Sequence, residues 1–185
     1  MLRLFIALHL PGQIKEKLEK VISDLRPLAD GIKWVEPKNM HLTLKFLGDT
    51  EEEIVEGVAG AVIRALTGRR VFEVKLSECG GFPNLKNPRV IWAGIDGADP
   101  AVEMAMAINN ELAKIGIEKD KKRLSPHLTL GRIKRRSDLS RLSNYLRNLY
   151  FDSEAVILDR AALIKSTLTP RGPIYENLRE FKLVQ

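Results

Sequence analysis

Cysteine occurs once in this chain, at Cys79, so no internal disulfide can form. A lone thiol fits a reducing compartment, and its expected place is a small buried strand residue. No stretch of about 18 apolar residues is present, so no membrane-spanning helix is expected. The apolar first ten residues carry no basic leader and no small-residue cleavage site, and they read as a first strand rather than a signal peptide. A cytoplasmic protein without a membrane partner is the expectation. Glycine-rich phosphate cradles of the P-loop or G-x-G-x-x-G kind are missing, as is the G-x-S-x-G elbow of serine hydrolases. Histidine is scarce too, with three copies, and neither His-x-x-x-His nor Cys-x-x-Cys occurs. A zinc site needs three or four ligands at such spacings, so no metal and no cofactor are expected.

What is present is charge and an adequate core. The 185 residues are 44% hydrophobic and 29% charged, with a net charge of +6. That size suits one large domain or two intimately joined lobes. The positive balance favours a polyanionic partner. Basic residues gather in Lys119-Asp120-Lys121-Lys122-Arg123 and in Arg132-Ile133-Lys134-Arg135-Arg136.

Between those two runs lies the second copy of a phrase, His127-Leu128-Thr129-Leu130, whose first copy is His41-Leu42-Thr43-Leu44. In a strand, alternate side chains share a face. His and Thr therefore point one way and the two leucines the other. Two of the three histidines open these phrases, 86 residues apart. The same offset carries Arg3 onto Arg89 and Ala7 onto Ala93, which points to a duplicated chain with halves of about 1–85 and 86–185.

Periodicity predicts a strand over 2–9 and a helix whose buried stripe is Ile14, Leu18, Val21, Ile22 and Leu25. The first phrase predicts a strand over 41–47, ended by Gly48. Thr50 then reads as the N-cap of a helix opened by three glutamates. Phe72, Val74 and Leu76 alternate as a strand, and Gly80-Gly81 with Pro83 reads as the link between halves. The second half predicts strands over 89–95 and 127–133, helices from Asp99 and near Leu142, and strands near 154–165 and 174–184, with Thr169-Pro170-Arg171-Gly172-Pro173 as a turn. The fold class is α+β. A single bilobal catalytic domain spanning 1–185 is expected, with two pseudo-twofold lobes. Each lobe is a mostly antiparallel sheet backed by helices, and the cleft lies between them.

Two imidazoles on opposite sides of one phosphate can act as acid and base in a single step. Thr43 and Thr129 can hydrogen-bond non-bridging oxygens, and Arg132 or a nearby Lys can stabilise growing charge. Strict alternation would turn Phe46 and Arg132, each five residues past its His, away from the cleft; a bulge at Gly131 would restore Arg132. The residues alone leave open which His is acid and which is base. His9 reads as a strand-end residue, and Trp34 and Trp92 as core.

At these residues the chain resembles the 2H phosphoesterase superfamily, and within it the RNA 2′,3′-cyclic phosphodiesterases, also called 2′-5′ RNA ligases. The resemblance extends over Arg3-Leu4-Phe5-Ile6-Ala7, His41-Leu42-Thr43-Leu44-Lys45-Phe46-Leu47-Gly48, Ser125-Pro126-His127-Leu128-Thr129-Leu130-Gly131-Arg132, and the closing run from Ser166 to Tyr175. It implies hydrolysis of a terminal 2′,3′-cyclic phosphate on RNA to a 2′-phosphate, with His41 as proton donor and His127 as proton acceptor. It also implies phosphate binding by Thr43, Thr129 and Arg132. Expected partners are RNA ends, extending to tRNA halves joined by a 2′-5′ bond and to a nucleotide, on a monomeric enzyme. The competing readings are a phosphodiesterase of 2′-5′ oligoadenylate or cyclic nucleotides, and a non-catalytic RNA-binding module.

Overall fold

The structure is a computed structural model and describes residues 1–135, 138–151, 154–170 and 172–185. Arg136 of the second basic run and Arg171 of the expected turn lie outside the described residues. In chain order the elements are β1 (Leu2–His9), α1 (Gly12–Leu25), β2 (Ile32–Trp34), β3 (His41–Thr50), α2 (Val55–Leu66), β4 (Phe72–Phe82), β5 (Val90–Asp96), α3 (Asp99–Ala113), β6 (His127–Ile133), α4 (Ser140–Asn148), β7 (Val156–Leu158), β8 (Arg160–Thr169) and β9 (Gly172–Lys182).

These strands form two antiparallel sheets, ordered β3-β1-β8-β9 and β2-β6-β5-β4-β7. The order β3-β1-β8-β9 corresponds to β6-β5-β4-β7, with β2 added at one edge. Neither sheet comes from one half of the chain: β4 joins the second sheet, and β8 and β9 complete the first. The apolar stripe of α1 is buried as its spacing predicts. The helices and the helix-facing sides of both sheets share one core, which includes Leu18, Val62, Ile108 and Leu142 with Leu8, Leu42, Ile91 and Leu128. A smaller cluster of Phe5, Ala7, Ala162 and Ile164, with Tyr175 against it, lies on the other face of the first sheet. No described helix is long and apolar enough to cross a membrane.

Several local expectations change, and the strand expected near 154–165 is two, β7 and β8, interrupted at Asp159. Thr50 does not cap a helix. It stays in β3 opposite Leu2, its hydroxyl donates to the Gly48 carbonyl at 3.2 Å, and a 3₁₀ turn (Glu52–Ile54) precedes α2. Ladder pairing with β1 outweighs one capping bond. Gly80 and Gly81 are not a link but part of β4. A Cβ on Gly80 would lie 2.2 Å from the Trp92 indole, and one on Gly81 2.7 Å from Pro88, so these glycines permit close packing rather than a turn. The 86-residue offset holds for the motif strands but slips by one in their partners. Thr43 faces Ala7, whereas Thr129 faces Trp92 rather than Ala93. A one-residue slip exchanges faces: Ala7 joins the small cluster and Ala93 the main core.

Candidate active site

Strands β3 and β6 show the same burial sequence through the motifs. His and Thr are partly exposed, the leucines are buried, the residue after the second leucine is also buried, and the next is exposed. Two buried residues in a row mark a break in alternation. The register supplies it. Ile6 faces Lys45 while Ala7 faces Thr43, leaving Leu44 unmatched; Ile91 faces Gly131 while Trp92 faces Thr129, leaving Leu130 unmatched. Each motif strand therefore carries a bulge one residue past its Thr. The Leu130 carbonyl accepts the Val35 amide instead, at 2.8 Å. The bulges rotate Phe46 and Arg132 back onto the face that holds His and Thr. The bulge needed for Arg132 is present, centred on Leu130 rather than Gly131. Gly131 serves another purpose. A Cβ there would sit 2.8 Å from Trp34 and 2.9 Å from Ile32, so its absence lets β2 lie against β6.

Both imidazoles are held alike. His41 Nδ1 lies 2.8 Å from the Asn39 carbonyl, and His127 Nδ1 lies 2.8 Å from the Ser125 carbonyl. A carbonyl only accepts, so Nδ1 carries the hydrogen in each ring and Nε2 is the nitrogen left for chemistry. The Asn39 side chain also donates to the Pro173 carbonyl at 3.2 Å, tying this support to the β8–β9 hairpin.

The ring environments differ. His41 packs on Phe5, with centroids 4.6 Å apart, and meets Tyr175 edge-on at 5.4 Å. Withdrawal from water pushes its pKa down to about 4, against the opposing bond to Asn39; Lys15 and His9 add to the depression. His127 meets only Phe82 among described rings, edge-on at 5.0 Å.

One cavity of about 430 Å³ is lined by His41, Thr43, His127, Thr129 and Arg132 together. All five residues singled out in the sequence thus face a common space, drawn from both sheets. Arg132 has no ion-pair partner among the described residues and is exposed. No group of three or more His, Cys, Asp or Glu able to hold a metal occurs among the described residues.

Several lining residues lie outside the set that the sequence singles out. Phe5, Trp34, Phe46 and Tyr175 give the cavity an aromatic wall, and Lys33, Lys45 and Ser166 add polar groups. Phe46 is signalled by its matching place with Arg132, but only once the bulge is known. Trp34, expected in the core, is half-buried on this wall. Trp92 is half-buried against Phe82. His9 ends β1 opposite His41, with Nε2 3.3 Å from Asn177 and 3.8 Å from Glu180, outside the cavity lining. Cys79 is buried, and burial pushes its thiol up to about 12.

Comparison with known proteins places this geometry among relatives. The sequence model of the LigT like phosphoesterase family matches residues 8–92 and 95–175. The RNA 2′,3′-cyclic phosphodiesterase of Thermotoga maritima is 33% identical, over 97% of this chain and 94% of its own. The protein of the same name from Aquifex aeolicus is 36% identical, over 99% and 98%. Among solved structures, TT0787 of Thermus thermophilus is similar with a TM-score of 0.86 and 29% identity, covering 98% of this chain and 97% of that one. E. coli LigT complexed with 3′-AMP shares the fold with a TM-score of 0.78 at 22% identity, covering 100% and 99%.

Proposed function

The chain belongs to the LigT-like phosphoesterase family, and from that premise we propose that it hydrolyses the terminal 2′,3′-cyclic phosphate of RNA to a 2′-phosphate, without a metal, by paired histidine acid–base catalysis. The observation that carries this reading is the pair of imidazoles on one cavity, each anchored through Nδ1 and each beside a threonine on a bulged strand.

In the proposed step, His127 Nε2 takes a proton from water as the water oxygen bonds to phosphorus. The P–O3′ bond breaks, and His41 Nε2 gives its proton to the departing O3′. The O2′ link remains, leaving the 2′-phosphate. The Thr43 and Thr129 hydroxyls and the Arg132 guanidinium hold the non-bridging oxygens, where charge grows. The His41 ring, largely neutral at neutral pH in the free protein, regains its proton when the anionic phosphodiester arrives beside it. A ribose hydroxyl in place of water gives the 2′-5′ bond of a ligation joining tRNA halves by the same proton transfers. We take residues 1–185 as one bilobal catalytic domain acting as a monomer on RNA ends.

The test is incubation with a synthetic oligonucleotide bearing a 2′,3′-cyclic end, with the phosphate located in the product. His41→Ala and His127→Ala are each expected to lower the rate about 10²–10⁴-fold, with circular dichroism unchanged and EDTA without effect on the wild type. Full activity in either folded variant refutes the mechanism. Faster turnover of 2′-5′ oligoadenylate or of a cyclic nucleotide would reassign the substrate. Salt-sensitive RNA binding without turnover would leave only a binding module.

A further inference from the structure

The residue after each bulge is buried, but the two differ in kind: Gly131 on β6 and Lys45 on β3. Lys45 is 3% exposed. A buried ammonium is costly unless fully satisfied, and this one is satisfied from outside its own sheet. Its Nζ donates to Asn109 Oδ1 at 2.8 Å, to the Glu118 carbonyl at 2.9 Å and to Asp120 Oδ1 at 2.8 Å. Asn109 Oδ1 also accepts the Asp120 amide at 3.0 Å. A motif strand is thereby bolted to the irregular stretch 116–126, which leads into His127.

That stretch borders a second depression of about 760 Å³, which shares Leu44, Asp120, Leu124 and His127 with the active cavity. Its charged lining is Lys119, Lys121, Lys122 and Arg123, with Asp120 as the only acid among the described residues, and that carboxylate is already engaged by Lys45. Lys121, Lys122 and Arg123 are exposed and have no ion-pair partner among the described residues. Like charges held side by side repel, and an anion relieves them.

Resting on the function proposed above, we infer that this basic depression seats the RNA backbone upstream of the cyclic end, and that Lys45 is the positioning residue that fixes it beside the reacting phosphate. Lys121, Lys122 and Arg123 bind backbone phosphates without reading sequence. The RNA leaves the reaction centre past His127, along the wall of Leu124. Terminal-phosphate chemistry and chain binding are thus separate sites joined at one histidine.

Two variants test this. In Lys121→Ser/Lys122→Ser/Arg123→Ser, the advantage of an oligonucleotide over a cyclic mononucleotide in kcat/KM should fall at least 10-fold. Fluorescence anisotropy with a labelled oligonucleotide ending in a 2′-phosphate should show weaker binding, with a salt slope shallower by about 2, as expected for three lost contacts to a single strand. Asp120→Ala, which removes the acceptor of the Lys45 bond along with the charge, separates positioning from bulk charge. It raises the net charge by one, so mere electrostatics predicts tighter RNA binding, whereas loss of the Lys45 strut predicts weaker binding. An unchanged preference and salt slope in the triple variant overturns the binding site. Tighter binding by Asp120→Ala overturns the strut. If the wild type turns over neither substrate, the proposed function fails, and the anisotropy measurements still decide this inference.

Discussion

Titrating His41 in the free protein, and again with a phosphate bound, probes the proposed chemistry at its most exposed point. A proton donor must hold a proton, yet burial against Phe5 and Tyr175 holds this imidazole at about 4. At pH 7 roughly one ring in a thousand is then protonated. A phosphodiester anion about 4 Å from the ring, at an effective dielectric of about 20, favours the imidazolium by roughly 4 kcal/mol. That is worth about three decades of proton affinity, enough to restore the proton in the neutral range. Because the folded value lies below that of the unfolded chain, the unfolded chain takes up this proton first. The neutral ring's contribution to stability is therefore complete above about pH 6.5 and is lost as the pH falls toward 4. It amounts to at most about 3 kcal/mol, less whatever the water reaching this partly buried ring screens. The assay is NMR of ring-labelled histidines between pH 3.5 and 8, with resonances assigned by substitution of each of the three histidines. It is run with and without a nucleoside 2′-phosphate. The expected result is a His41 midpoint near its buried value alone and an upward move on binding. A His41 that titrates like a solvent-exposed imidazole in the free protein, or one that the ligand leaves unmoved, refutes the reasoning.

Gly131→Ala places a Cβ against Trp34 and Ile32, which should cost about 1–3 kcal/mol, lower the melting temperature by several degrees and raise KM by shifting Arg132; an unaltered melting curve and KM would contradict the close-approach account. Cys79, buried with its thiol held at about 12, should resist a disulfide reagent at pH 8 while folded and react at once in guanidinium. Rapid labelling of the native protein would show that the thiol is not enclosed.

The duplicated His-x-Thr phrase was sufficient, by itself, to pick out a strand face carrying titratable and hydroxyl groups over a leucine face. Alternation is a property of the backbone, so that much needs no tertiary information. The stripe of α1 was legible for the same reason. Other features were not. The bulges at Leu44 and Leu130 arise from how β1 and β5 register against the motif strands, and a register is a relation between distant segments. Hence Phe46 and Arg132 looked misdirected in a single strand, and the partner strands matched one residue away from the apparent repeat. The exchange of β4, β8 and β9 between sheets was hidden too, because each strand has the same local pattern whichever sheet it joins. Lys45 is the sharpest case. In sequence it is one charge among thirty basic residues, and nothing local predicts burial. Only packing brings Asn109, Glu118 and Asp120 around its ammonium and so makes a buried charge tolerable. Composition and periodicity thus determined most of the elements and the titratable and hydroxyl residue types on one strand face. The fold alone decided which of them share a cavity, because that depends on contacts between residues far apart in the chain.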